Sequence, residues 1–165
     1  MTLEQATKLA EEYASRGLEK ELAHLRSQWD DEIEAAARHG DYRVRALAYR
    51  SLAPFRFRQK VELLRRGLDD ESPAARGSAL IALESLSRDR PGDVNQFRPL
   101  LHELAAHDSN VAVRRLAILC CKNGTPERHT IQLLDGIAGN DDEDAEVRKT
   151  ARSVSALLLK KSRAK

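Results

Sequence analysis

Four times this chain repeats one short phrase: a residue suited to capping a helix, an arginine four positions on, and an alanine three beyond that. The copies are Asp41/Arg45/Ala48, Ser72/Arg76/Ala79, Asn110/Arg114/Ala117 and Asp144/Arg148/Ala151. The arginines lie 31, 38 and 34 residues apart, the period of a stacked helical unit. A unit of that size cannot bury its own apolar face, so it packs on its neighbours and offers an extended surface in place of a closed pocket. The small alanine marks where helices come close together.

The rest of the composition agrees with that reading. Only 4% of residues are aromatic, so Leu, Ala, Ile and Val must build the core. Charged residues reach 33% and nearly cancel, with 28 basic against 26 acidic; a dedicated DNA-binding domain carries a clearer positive excess. The two cysteines, Cys120 and Cys121, are adjacent in an apolar run. Helical neighbours point about 100° apart, so buried, inert thiols in a reducing compartment are expected rather than a disulfide. The opening residues enter a polar amphipathic helix, with no secretion signal, and no apolar run approaches the ~20 residues that cross a bilayer. A soluble, cytoplasmic chain is the expectation.

Along the chain, Thr2 with Gln5 forms a capping box ahead of a stripe through Leu3, Ala6, Leu9, Ala10, Tyr13 and Ala14, and Gly17 stops that helix. A second stripe runs through Leu22, Leu25, Trp29, Ile33 and Ala36, with Asp30 and Asp31 as a point of interruption. After each capped helix a second helix is expected: one from about Phe55 to Leu68, one from about Val94 to Ala106 with Pro99 delaying or kinking it, and one capped by Thr125 ahead of Pro126. Turns are expected at Pro91-Gly92, Asn123-Gly124 and Gly139-Asn140. The total is eight or nine helices and no strand, in one continuous domain: residues 1–40 as divergent capping helices, 41–160 as repeats and 161–165 as a frayed basic tail.

Three copies also place an aspartate six residues before the arginine, Asp70/Arg76, Asp108/Arg114 and Asp142/Arg148. In the first copy that position is His39, and Asp41 stands in. Such a pair can link adjoining units by charge-assisted hydrogen bonds.

Taken together, the capping aspartate, the small apolar positions, the arginine and the alanine, each followed by a second amphipathic helix, resemble the HEAT-repeat (armadillo-like) superfamily, and its short bacterial form in particular. The resemblance covers about residues 41–160. It implies an all-α fold, a right-handed α-α superhelix (solenoid) of about four HEAT-like helical pairs, with the second helices lining the concave side. It says little about activity, since the family includes scaffolds, inhibitors, bilin lyases, a DNA-alkylation glycosylase group and a metal-dependent hydroxylase.

Residues 41–68 hold eight basic and two acidic side chains, flanked by 1–40 at −4 and 69–110 at −4. The block is either a patch for an acidic partner or a solvated face balanced by its neighbours. As a patch, its partner-binding residues are Arg43, Arg50, Arg56, Arg58, Arg65 and Arg66, with Trp29 as either a core residue or an apolar anchor. The four repeated arginines are assigned to structure, because one ligand site would not need one in every unit. His102-Glu103 is a single His-Glu pair where the hydroxylase branch uses several, and a metal site needs several convergent ligands. No nucleophilic triad, phosphate-binding glycine loop or zinc spacing occurs. The expected function is therefore non-enzymatic, without cofactor, metal, membrane or small-molecule substrate: a protein-binding module, either an adaptor or a stoichiometric inhibitor such as a bacterial toxin immunity protein. The competing expectation is a nucleic-acid-binding protein of the glycosylase branch.

Overall fold

The computed structural model describes residues 1–164. Among them are ten helices and no strand: α1 (Leu3–Ser15), α2 (Glu19–Ala36), α3 (Tyr42–Ser51), α4 (Val61–Leu68), α5 (Pro73–Leu86), α6 (Pro91–Asn95), α7 (Arg98–His107), α8 (Val111–Cys121), α9 (Arg128–Ala138) and α10 (Ala145–Arg163). The chain divides into two compact units, Met1–Ala82 and Leu83–Lys165. In the first, α1 packs on α2, α2 on α3, and α3 on α4. In the second, α7 packs on α8, and α10 lies against both α8 and α9.

All four repeated caps act as read. Asp41 accepts from the Arg43 amide, Ser72 from Ala75, Asn110 from Val113, and Asp144 from Glu146 and Val147. Each satisfies an amide that the first helical turn leaves open. The alanine three past each arginine, Ala48, Ala79, Ala117 or Ala151, is 0% exposed every time. The physical reason is visible at Ala79. A Cβ added to Gly67 of α4 would fall 2.7 Å from the Ala79 Cβ and 3.0 Å from the Tyr49 ring. Two small residues thus let α4 and α5 approach closely. Upstream, the Thr2/Gln5 capping box forms, and Gly17 takes φ 68 to end α1, a backbone region that glycine enters without a Cβ penalty.

Several boundaries differ from expectation, and the helix count rises from eight or nine to ten. Asp30 and Asp31 do not interrupt α2. The helix expected from Phe55 begins only at Val61. Phe55 and Phe57 are instead both fully buried from a turn, their rings 5.8 Å apart. Arg56 between them is driven to φ 59, which lets both flanking rings turn inward. Pro91 opens a short helix in place of a turn, and the expected 94–106 helix is split into α6 and α7, the latter starting with Pro99 in its first turn. Thr125 does not cap α9, whose cap is Glu127; the Thr125 hydroxyl accepts from Asn95 Nδ2 at 2.8 Å and its amide donates to Asn95 Oδ1 at 3.0 Å. The tail is not frayed at Lys161: α10 continues to Arg163, and Lys161 donates to the Lys122 carbonyl at 2.7 Å. Lys165 lies outside the described residues.

Cys120 and Cys121 are both buried. Burial pushes the Cys120 thiol well up and the Cys121 thiol up to about 12. A thiol reagent at pH 8 should therefore label neither cysteine in the folded protein, and both at once in denaturant. Stopped-time labelling followed by mass spectrometry checks this; rapid native labelling would contradict it.

Candidate charged groove

The arginine that recurs in each repeat holds the chain in an arrangement the sequence only half discloses. Arg45 donates through Nη1 to the His39 and Gly40 carbonyls, both at 3.0 Å, and through Nε and Nη2 to both oxygens of Asp70 at 2.9 and 3.0 Å. Arg114, two copies on, does the same. Its Nη1 reaches the Asp108 carbonyl at 2.9 Å, while Nε and Nη2 take Glu143 at 3.0 and 2.8 Å. The residue six before the arginine thus contributes its main-chain carbonyl, which is why His39 serves as well as aspartate. The carboxylate comes from the turn after the following helix. The expected pairing of the Asp108 carboxylate with Arg114 is corrected accordingly, and so is Asp41 as stand-in: its carboxylate holds Arg43 at 3.0 Å. In the last copy, Arg148 comes within 3.7 Å of Asp141 rather than the expected Asp142.

Each fork is partly buried, so its charges are expensive to separate. Burial pushes the Asp70 carboxyl up, but Arg45 and the Ser72 amide outweigh this and hold it below the ordinary aspartate range. Arg114 holds Glu143 below the ordinary value of 4.5.

Around the Arg45 fork, the C-terminal part of α2, the turn before α3, and α4 with its flanking turns enclose a groove of about 1020 Å³. Among its lining residues are five cations, Arg38, Arg45, Lys60, Arg65 and Arg66, and five anions, Glu34, Glu62, Asp69, Asp70 and Glu71. Lys60 organises one wall. Its ammonium lies 2.7 Å from Asp30 and 2.6 Å from Glu34, and 4.9 Å over the Phe57 ring. Burial opposes the Lys60 charge, yet the two carboxylates outweigh it and hold it above the ordinary lysine value. Glu34 is bound in turn by Arg38 at 2.8 Å, and Arg38 and Lys60 keep its carboxyl below the usual range.

The groove brings together only two of the seven residues proposed from sequence, Arg65 and Arg66, both exposed on α4. Arg43 and Arg50 share one side of α3, seven residues apart; Arg43 is held by Asp41 and Arg50 donates to Ser78 at 3.3 Å. Exposed Arg56 and half-buried Arg58 sit in the turn before α4, and Trp29 is half-buried on α2. The arginine block is thus dispersed over several surfaces and answered by acids from both flanks. Sequence reading missed Arg38, Lys60 and the acids facing them. The available signal was spacing: Asp30 and Glu34 precede Lys60 by 30 and 26 residues, close to the period that separates Arg45 from Asp70.

In the second unit, His102 of α7 and His129 of α9 meet with ring centroids 5.3 Å apart, and His102 Nε2 lies 2.8 Å from the Thr130 hydroxyl. Among the described residues no group of three or more metal-ligating side chains converges. Burial, then His129, lower the His102 pKa from its ordinary 6.5, with Glu127 opposing and Arg98 adding to the shift. The neutral form is the one folding favours, so its contribution to stability is present above pH 6.5 and lost as pH falls through the depressed value. Proton-detected titration of His102 should show this depression, and His129→Gln should move it back upward; an unshifted His102 would contradict the account.

No helix among the described residues is long and apolar enough to cross a membrane. Comparison with curated proteins and comparison with solved structures each return no match. A protein-family model described as HEAT repeats matches residues 29–96, which include every residue lining the groove. Over that segment, with its capped helices, buried alanines and paired second helices, the chain is similar to the HEAT-repeat family, whose helical repeats serve as protein-interaction modules.

Proposed function

We propose that this protein is a small adaptor or stoichiometric inhibitor that holds a segment of another protein in the groove of its first unit. A toxin-neutralising immunity protein is the most concrete form of that reading. One observation carries it: the open groove lies wholly inside the segment that matches the HEAT family, whose surfaces serve macromolecular contact. The inner charges of the groove are already joined to each other, Lys60 to Asp30 and Glu34, and Arg45 to Asp70. What faces a partner is the outer rim. Arg65 and Arg66 suit acidic side chains, and the Glu62 and Glu71 side chains, 88% and 90% exposed, suit a cation beside them.

The test is titration calorimetry on the purified complex at two salt concentrations, with the double variant Arg65→Glu/Arg66→Glu. The reading expects a one-to-one complex, unchanged helicity in the variant, and affinity reduced by about tenfold or more, with the association rate falling as salt rises. Unchanged affinity would contradict it. Submicromolar, steeply salt-dependent binding of a labelled duplex to the same rim would favour the nucleic-acid reading instead.

A further inference from the structure

A second surface, in the other unit, follows from comparing the repeats position by position. The residue four past the repeated arginine is Tyr49, Leu80 or Ile118 in the first three copies, each 0% exposed. In the first copy it packs on Gly67 of the second helix. In the fourth copy the residue is Arg152, and it is exposed. Helix α10 packs on α8 and α9 with one side, and its other side carries Lys149, Arg152, Ser153, Ala156, Lys160 and Arg163, all exposed. At about 100° per residue these fall within one outward face.

A face that merely keeps a repeat soluble mixes both signs of charge. Here four cations share the face with a single acid, Glu146, placed at its N-terminal end. The short Ser153 and Ala156 leave room between the cations, and Lys149 and Lys160 stand about 16 Å apart along the axis. Arg152 donates through Nη2 to the Ala138 carbonyl at 3.4 Å. The exposed acids Asp141, Asp142 and Asp144 lie just before the helix and would repel a uniformly anionic polymer at that end.

We propose that this face of α10 is a docking surface for an acidic polypeptide helix, laid alongside it with carboxylates opposite Lys149, Arg152, Lys160 and Arg163. This surface is separate from the groove, and either could fail without the other. The probe is a helical peptide of about twenty residues with glutamates along one face, titrated into the isotopically labelled full chain. Amide shifts should concentrate at 149–163. The variant Lys149→Glu/Arg152→Glu/Lys160→Glu should reduce affinity by about tenfold or more, while Arg43→Glu/Arg50→Glu leaves it unchanged. Should the triple variant lose its helical circular dichroism, Lys149→Gln/Arg152→Gln replaces it, with a smaller loss expected. Shifts away from α10, or equal binding by a folded variant, would overturn the proposal. So would tighter binding of a labelled DNA duplex than of the peptide at that face.

Discussion

Replacing Ala79 by Glu should cost about 4 kcal/mol or more, enough to unfold the first unit under mild denaturation. The alanine is 0% exposed, and its Cβ stands where even one added carbon on Gly67 would collide at 2.7 Å. A glutamate there must force α4 and α5 apart and bring a carboxylate into a close, buried contact. Ala79→Ser, which adds one atom, should lose far less. Urea unfolding followed by circular dichroism checks both, and an Ala79→Glu protein with native stability would show that the repeated alanines are not close-contact points.

Arg114→Ala comes next in size, at about 2–4 kcal/mol near neutral pH. The side chain joins Glu143 through two hydrogen bonds and the Asp108 carbonyl through a third, so truncation leaves a carboxylate only 10% exposed without its counter-ion. The pH dependence has a definite sign. Because Arg114 holds Glu143 below its ordinary 4.5, the contribution is present above pH 4.5 and lost as pH falls through the depressed value. The deficit of the variant should therefore shrink between pH 5 and pH 3, in contrast to Ala79→Glu, whose steric part persists in acid. Acid-dependent urea midpoints distinguish the two.

Much of this architecture was readable from residues because caps and close contacts are local. Asp41, Ser72, Asn110 and Asp144 announce helix starts through their own side chains, and the buried alanine follows at a fixed interval. What failed was whatever depends on a partner distant in sequence. The repeated arginine reads as structural, as Arg45 and Arg114 are, but spacing points to a carboxylate six residues back, where these two use only the carbonyl. Phe57 looked helical by spacing, yet pairing it with Phe55 in the core outweighs the cost of the left-handed turn at Arg56. Pro99 was expected to disturb a helix, but it begins one, since the first turn has no use for its missing amide. The binding residues were the least legible part. A run of arginines reads as a patch only if its neighbours are ignored, and here Asp30, Glu34, Asp41 and Asp70 arrive from both sides to hold Lys60, Arg43 and Arg45.

The most direct check is a double-mutant cycle on Arg114 and Glu143, comparing Arg114→Met, Glu143→Gln and the combined variant by urea unfolding at neutral pH. If the repeated arginine clasps the acid of the following turn, the cycle gives a coupling energy of about 1.5–3 kcal/mol that fades with acidification. A coupling within about 0.5 kcal/mol of zero would contradict it, leaving the arginines as solvated charges and the repeats held by apolar packing alone.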